Sequence, residues 1–153
     1  MPKEFKRRKV VPDIRFGSTL LARFINMVMK KGKKSVAEKI VYTALARLQE
    51  KTTKSAIEVF QDAVKNVRPI VEIKSRRIGG ATYQIPVSVE ERRSETLAFR
   101  WILDVARGKK GRPMVDKLTA ELLDAYNKTG SSMEKREATH RMAEANKAYA
   151  HFA

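Results

Sequence analysis

At 153 residues and 42% hydrophobic composition, the chain has the size and apolar content of one domain with a real core, which argues against disorder throughout. The 33 Lys and Arg against 17 Asp and Glu leave +16, a self-repelling excess that a polyanion relieves. Nucleic acid is therefore the first partner to consider and an anionic membrane surface the second. No apolar run nears the ~20 residues of a membrane span, and no signal peptide is visible. The absence of cysteine excludes disulfides and thiolate metal sites and fits a reducing compartment.

Residues 1–17 read as an extended basic arm. Lys3, Lys6, Arg7, Arg8, Lys9 and Arg15 outnumber Glu4 and Asp13, and Pro2 and Pro12 interrupt any periodicity. Phe5, Val10, Val11, Ile14 and Phe16 offer apolar anchors, so the expectation is an arm that orders on RNA rather than a plain tail. The remainder, 18–153, reads as one helical domain.

Ser18 predicts the cap of a first helix to about Lys31, with Leu20, Leu21, Phe24, Ile25 and Val28 inward and Gly32 as its stop. Lys30, Lys31, Lys33 and Lys34 exceed what capping needs and suggest a phosphate-binding knob. Four S-x-x-E boxes mark later helix starts: Ser35 with Glu38, Ser55 with Glu58, Ser88 with Glu91 and Ser131 with Glu134. The second helix runs to about Gln49 and the third to about Val67, stopping before Pro69.

Between the third and fourth helices, about 71–89, odd positions alternate as Val71, Ile73, Tyr83, Ile85, Val87 and Val89 around Gly79-Gly80, a β-hairpin. A two-residue turn would pair Ile73 with Pro86 and put the two apolar sets on opposite faces. A three-residue loop, Gly79-Gly80-Ala81, pairs Ile73 with Val87 and Arg77 with Tyr83. It keeps one apolar face and is the expectation. The tip, with Arg76, Arg77 and Tyr83, would then reach outward to phosphate and to bases or riboses.

The fourth helix buries Leu97, Ala98, Trp101, Ile102 and Val105 and stops at Gly108, with Arg92 and Arg93 near its start as RNA contacts or salt-bridge partners. The loop to Pro113 holds Arg107, Lys109, Lys110 and Arg112 with two glycines, suited to close phosphate approach. Pro113 opens a fifth helix. The sixth, to about Ala150, carries a thin stripe of Ala138, Met142, Ala145, Tyr149 and Phe152, with Arg136, His140, Arg141 and Lys147 on its other faces. No catalytic or metal constellation emerges: His140 and His151 are eleven residues apart, and the carboxylates sit at helix starts.

These residues resemble the small-subunit ribosomal protein seven family along essentially the whole chain. The resemblance rests on Ser18 to Ala44 with Gly32-Lys33-Lys34 and Ile40-Val41, on Ser75-Arg-Arg-Ile-Gly-Gly80 returning through Tyr83-Gln84-Ile85-Pro86, on Arg100-Trp101, and on the Gly108–Pro113 loop. It implies a mainly α fold, six helices with one protruding hairpin. The implied role is a cytoplasmic, non-enzymatic small-subunit protein, without cofactor or small-molecule substrate, that binds small-subunit ribosomal RNA and nucleates the head. RNA contact would fall to the arm (Lys3 to Arg15), Lys30 to Lys34, Lys74 to Arg77, Arg92 and Arg93, and Arg107 to Arg112. Exit-site tRNA and messenger RNA would lie near Arg76, Arg77, Gly79, Gly80, Tyr83, His140, Arg141 and Lys147. Small-subunit proteins nine and eleven are the implied neighbours. The rival from physics alone is an architectural DNA binder with a basic β-ribbon arm.

Overall fold

The computed structural model describes residues 8–153; Lys3, Lys6 and Arg7 of the arm lie outside them. Six α-helices surround one core: α1 Thr19–Val28, α2 Lys34–Lys51, α3 Ala56–Val67, α4 Glu91–Gly108, α5 Met114–Tyr126 and α6 Ser131–Ala145. An antiparallel hairpin, β1 Val71–Ile78 and β2 Ala81–Ser88, separates α3 from α4, and a 3₁₀ segment Lys147–Phe152 follows α6. No helix among the described residues is long and apolar enough to cross a membrane.

Apolar periodicity builds the core. α5 packs against α2, α3 and α4, and Leu118, Leu122 and Ala125 on its inner stripe are wholly buried. Phe24 of α1 meets Phe60 of α3 at 5.1 Å and Phe99 of α4 at 5.3 Å between centroids, tilted and edge-on as ring quadrupoles prefer. Phe99 and Leu103 join this core although the expected fourth-helix stripe omitted them.

Capping chemistry explains the helix starts only in part. Ser18 accepts from the Leu21 N–H, and Ser55 with Glu58 closes a full capping box. The other three expected boxes do not form. Ser35 lies inside α2, which starts at Lys34; Ser88 ends β2; and Gly130, not Ser131, precedes α6. At α6 the start is tied instead by Glu121, which accepts the Ser132 N–H and hydroxyl. α1 also ends at Val28, three residues before the expected limit: Met29 leaves helical geometry at ψ 136, and Lys31 and Gly32 then turn the chain at φ 53 and 72.

The hairpin register differs from the expectation. Gly79 and Gly80 both have positive φ, the requirement of a two-residue type I′ turn. Ile73 therefore opposes Pro86, and Tyr83 opposes Arg76 rather than Arg77. A single apolar face does not dictate the pairing, because neither face of the root is fully solvated. Val71, Ile73, Pro86 and Val87 are all half-buried and only Ile85 is fully buried. With no strong penalty on either slip, the turn chemistry won.

The orientation of α6 is a second correction. Met142 and Tyr149 of the thin stripe are 46% and 37% exposed, whereas Met133 and Ala143 are buried and Arg136 and His140, expected on the other faces, are half-buried. The inward face is tied by polar groups: Arg136 Nε donates to the Arg68 carbonyl at 3.1 Å, and His140 Nε2 accepts the Ile70 N–H at 3.1 Å. α6 ends at Ala145, short of Ala150, and the chain then tightens to 3₁₀ geometry.

Candidate nucleic-acid interface

Cations cluster where helices end and the chain must turn. Between α1 and α2, Lys30, Lys31, Lys33 and Lys34 are all exposed and make no ion pair among the described residues. A neighbouring hollow of about 280 Å³ is lined by Val28, Met29, Val36, Ile40 and Met114 under a rim of Lys30, Lys33 and Arg107. The structure thus brings the α1–α2 turn beside the α4–α5 loop.

That loop divides its cations. Arg107 Nη2 donates to the carbonyls of Met27 and Val28 at 3.3 and 3.2 Å, satisfying the open end of α1. Lys109 Nζ lies 2.9 Å from Glu121 Oε2, a fully buried carboxylate whose other oxygen accepts from the Ser132 N–H at 3.1 Å and from its hydroxyl. Both cations expected to meet RNA are therefore engaged by the fold. Lys110 and Arg112 stay exposed and, with Lys109 and Lys117, line a basic hollow of about 360 Å³. Lys117 was missed; its place one turn past the Pro113 helix start, next to a basic loop, was the available signal.

A larger hollow of about 660 Å³ joins Arg8 and Lys9 of the arm to Arg92 at the start of α4, with Arg23, Glu90, Glu91 and Glu95 on its walls. Arg23 is already paired to Glu95, and Arg68 reaches Glu91 at 3.3 Å. Arg93 Nη2 lies 3.3 Å from Glu72 of β1, and Lys74 lies 3.6 Å from the same carboxylate, so Glu72 draws two predicted RNA contacts back to the root of the ribbon.

The ribbon tip is less free than expected. Tyr83 packs against Tyr149 at 5.2 Å and Phe152 at 5.7 Å, and Arg76 Nη1 donates to the Phe152 carbonyl at 2.6 Å. The 3₁₀ segment thus lies along the face carrying Arg76, Tyr83 and Ile85. Arg77, on the opposite face with Thr82, is exposed, as are Gly79 and Gly80. Of the last-helix set, Arg141 is exposed, His140 is turned to Ile70, and Lys147 pairs with Glu144 at 3.4 Å. Burial, with a smaller contribution from Arg136 and against Glu137, lowers the His140 pKa below its usual 6.5, favouring the neutral ring that accepts this bond.

A polar group, with Phe16 beside the Tyr42 ring, holds the C-terminal end of the arm. Val11 is 79% and Ile14 95% exposed, while Asp13 is only 8% exposed. Among the described residues no group of three or more acidic or histidine side chains could hold a metal ion.

A helical body with cations gathered on its turns, a basic arm and a β-ribbon is the architecture of a nucleic-acid-binding protein. Comparison with known proteins narrows the class. Residues 2–147 match the model of the family described as ribosomal protein S7p/S5e. The chain is 59% identical over 145 residues to the small ribosomal subunit protein uS7 of Fervidobacterium nodosum, covering 95% of this chain and 94% of that one. With uS7 of Petrotoga mobilis it shares 56% over 147 residues, 96% and 95% of the two chains. With uS7 of Thermotoga maritima it shares 54% over 147 residues, again 96% and 95%. The chain belongs to the ribosomal protein S7p/S5e family, whose role is structural and not enzymatic.

Proposed function

We propose that this protein binds small-subunit ribosomal RNA directly, nucleates assembly of the head from the 3′ major domain, and lies near exit-site tRNA and messenger RNA. Small-subunit proteins nine and eleven are its proposed protein neighbours, and the cytoplasmic small subunit its location. The observation that carries the reading is the α1–α2 turn, where four lysines stand exposed and unpaired among the described residues; Lys110 and Arg112 are exposed in the α4–α5 loop. Cations left over after the fold has satisfied its own carboxylates are the ones available to neutralise phosphates.

The RNA-facing set is Lys3, Lys6, Arg7, Arg8, Lys9, Arg15, Lys30, Lys31, Lys33, Lys34, Arg77, Arg92, Lys110 and Arg112. Lys74, Arg76, Arg93, Arg107 and Lys109 act there only by sharing or exchanging their present partners. Recognition is of shape, phosphate and 2′-OH, because a folded RNA's deep groove hides base edges.

Ultraviolet crosslinking in cells, mapping nucleotide and peptide together, tests this. Crosslinks from the 30–34 and 110–112 peptides to the 3′ major domain are expected. Crosslinks confined to the exposed α2–α3 end, around Lys51 and Lys54, would sink the proposed orientation.

A further inference from the structure

The arm meets the body at a built joint around Asp13. Asp13 Oδ2 accepts the backbone N–H groups of Arg15 and Phe16 at 3.1 and 3.0 Å, and Oδ1 accepts the Tyr42 hydroxyl from the middle of α2. The backbone closes around it: the Asp13 N–H donates to Ser18 O at 3.2 Å and the Gly17 N–H to Asp13 O at 2.8 Å. The Arg15 guanidinium lies 4.4 Å from the centroid of the same Tyr42 ring, and Phe16 packs beside it at 6.3 Å. Burial and the bond to Asp13 push the Tyr42 hydroxyl up to about 12, so it stays a donor across the physiological range.

An anion in the midst of Arg8, Lys9 and Arg15 opposes phosphate binding by Coulomb's law, unless it performs another task. Here it is buried, and its acceptor sites are directed at the arm's own backbone and at α2. Because Val11 and Ile14 face solvent, no apolar contact from those positions could set the arm's direction instead.

We infer that Asp13, through Tyr42, is a positioning residue for RNA binding: the Asp13–Tyr42 joint fixes where the cationic arm leaves the body and so presents its charges to RNA pre-oriented. This rests on the reading that the arm binds RNA. The joint contributes affinity by removing orientational freedom before binding, not by contacting RNA.

The sign of one substitution separates the possibilities. Asp13→Ala raises the net charge by one, so electrostatics alone predicts tighter binding to a transcript of the small-subunit 3′ major domain. Loss of positioning predicts weaker binding, by about three- to tenfold. Tyr42→Phe, which keeps the ring under Arg15, should weaken binding in the same direction by a smaller factor and serves if Asp13→Ala does not fold.

Both are to be repeated with Lys3, Lys6, Arg7, Arg8 and Lys9 changed to Ala. If Asp13 positions those cations, neither joint substitution weakens binding further in that background. Equal weakening in both backgrounds, or unchanged or tighter binding in the otherwise native chain, overturns the inference. Should the five-alanine protein bind as tightly as the native one, the reading that the arm binds RNA has failed, and the positioning role falls with it.

Discussion

The α1–α2 turn and the α4–α5 loop are composed alike, four cations with glycine in a short bend, yet the fold uses them differently. In the first, Lys30, Lys31, Lys33 and Lys34 have no carboxylate within reach among the described residues. In the second, Arg107 satisfies the carbonyls at the end of α1 and Lys109 neutralises buried Glu121, leaving Lys110 and Arg112. A basic bend is therefore not a unit of RNA affinity. What matters is how many of its charges remain after helix ends and buried acids have been satisfied.

The widest gap between the two bends should appear on replacing Lys30, Lys31, Lys33 and Lys34 together by Gln. RNA affinity should fall on the order of a hundredfold, and the log–log salt slope should shrink by roughly 0.7–0.9 for each phosphate that is no longer neutralised. The thermal midpoint should stay within about 1–2 °C, as for ordinary surface changes. A collapsed melt would show that these lysines belong to the fold and erase the contrast.

Lys109→Met should do the reverse. It strands Glu121 and the Ser132 hydrogen bonds without their cation, and breaking such a pair costs about 2 kcal/mol once the half-exposed lysine is allowed for. That corresponds to a fall of roughly 4–8 °C in Tm for a domain of this size. Lys110→Met, at the next residue and exposed, should leave the melt unchanged and lower RNA affinity.

The smallest effect concerns the joint of α6 and the ribbon. The folded His140 pKa is lowered, so the stabilisation it reports is complete above 6.5 and is lost as pH falls through the lower folded value, where the imidazolium can no longer accept the Ile70 N–H. Amide exchange at Ile70, corrected for its intrinsic rate, should accelerate as pH falls below 6.5. His140→Gln, which keeps an acceptor, should flatten that dependence. A pH-independent exchange rate in the native chain would mean His140 does not hold the ribbon root.

Helix number, the hairpin's place in the chain and the basic character of each bend were legible because periodicity, glycine and charge are local quantities. Ser55 with Glu58 read correctly, and so did Pro113 as a helix boundary, whereas α1 stops at Val28, short of Gly32. The hairpin register and three capping boxes were misread on local signals; the other misreadings gathered where a partner distant in sequence decides. Arg107 looks like any cation until α1's open carbonyls are placed against it. Asp13 looks like a minor acid until Tyr42 arrives from α2. The α6 stripe was assigned from apolar residues, although its inward seam is made by Arg136 and His140 bonding to backbone near the ribbon root.

The amino-acid order alone thus determined the element order, the mainly helical class and the surplus of positive charge, since each depends on neighbours a few residues apart. Tertiary structure alone decided which of those charges are available and which way the ribbon and the last helix face. Availability depends on the distance to a carboxylate or a carbonyl far along the chain, and that distance exists only once the chain has closed around its core.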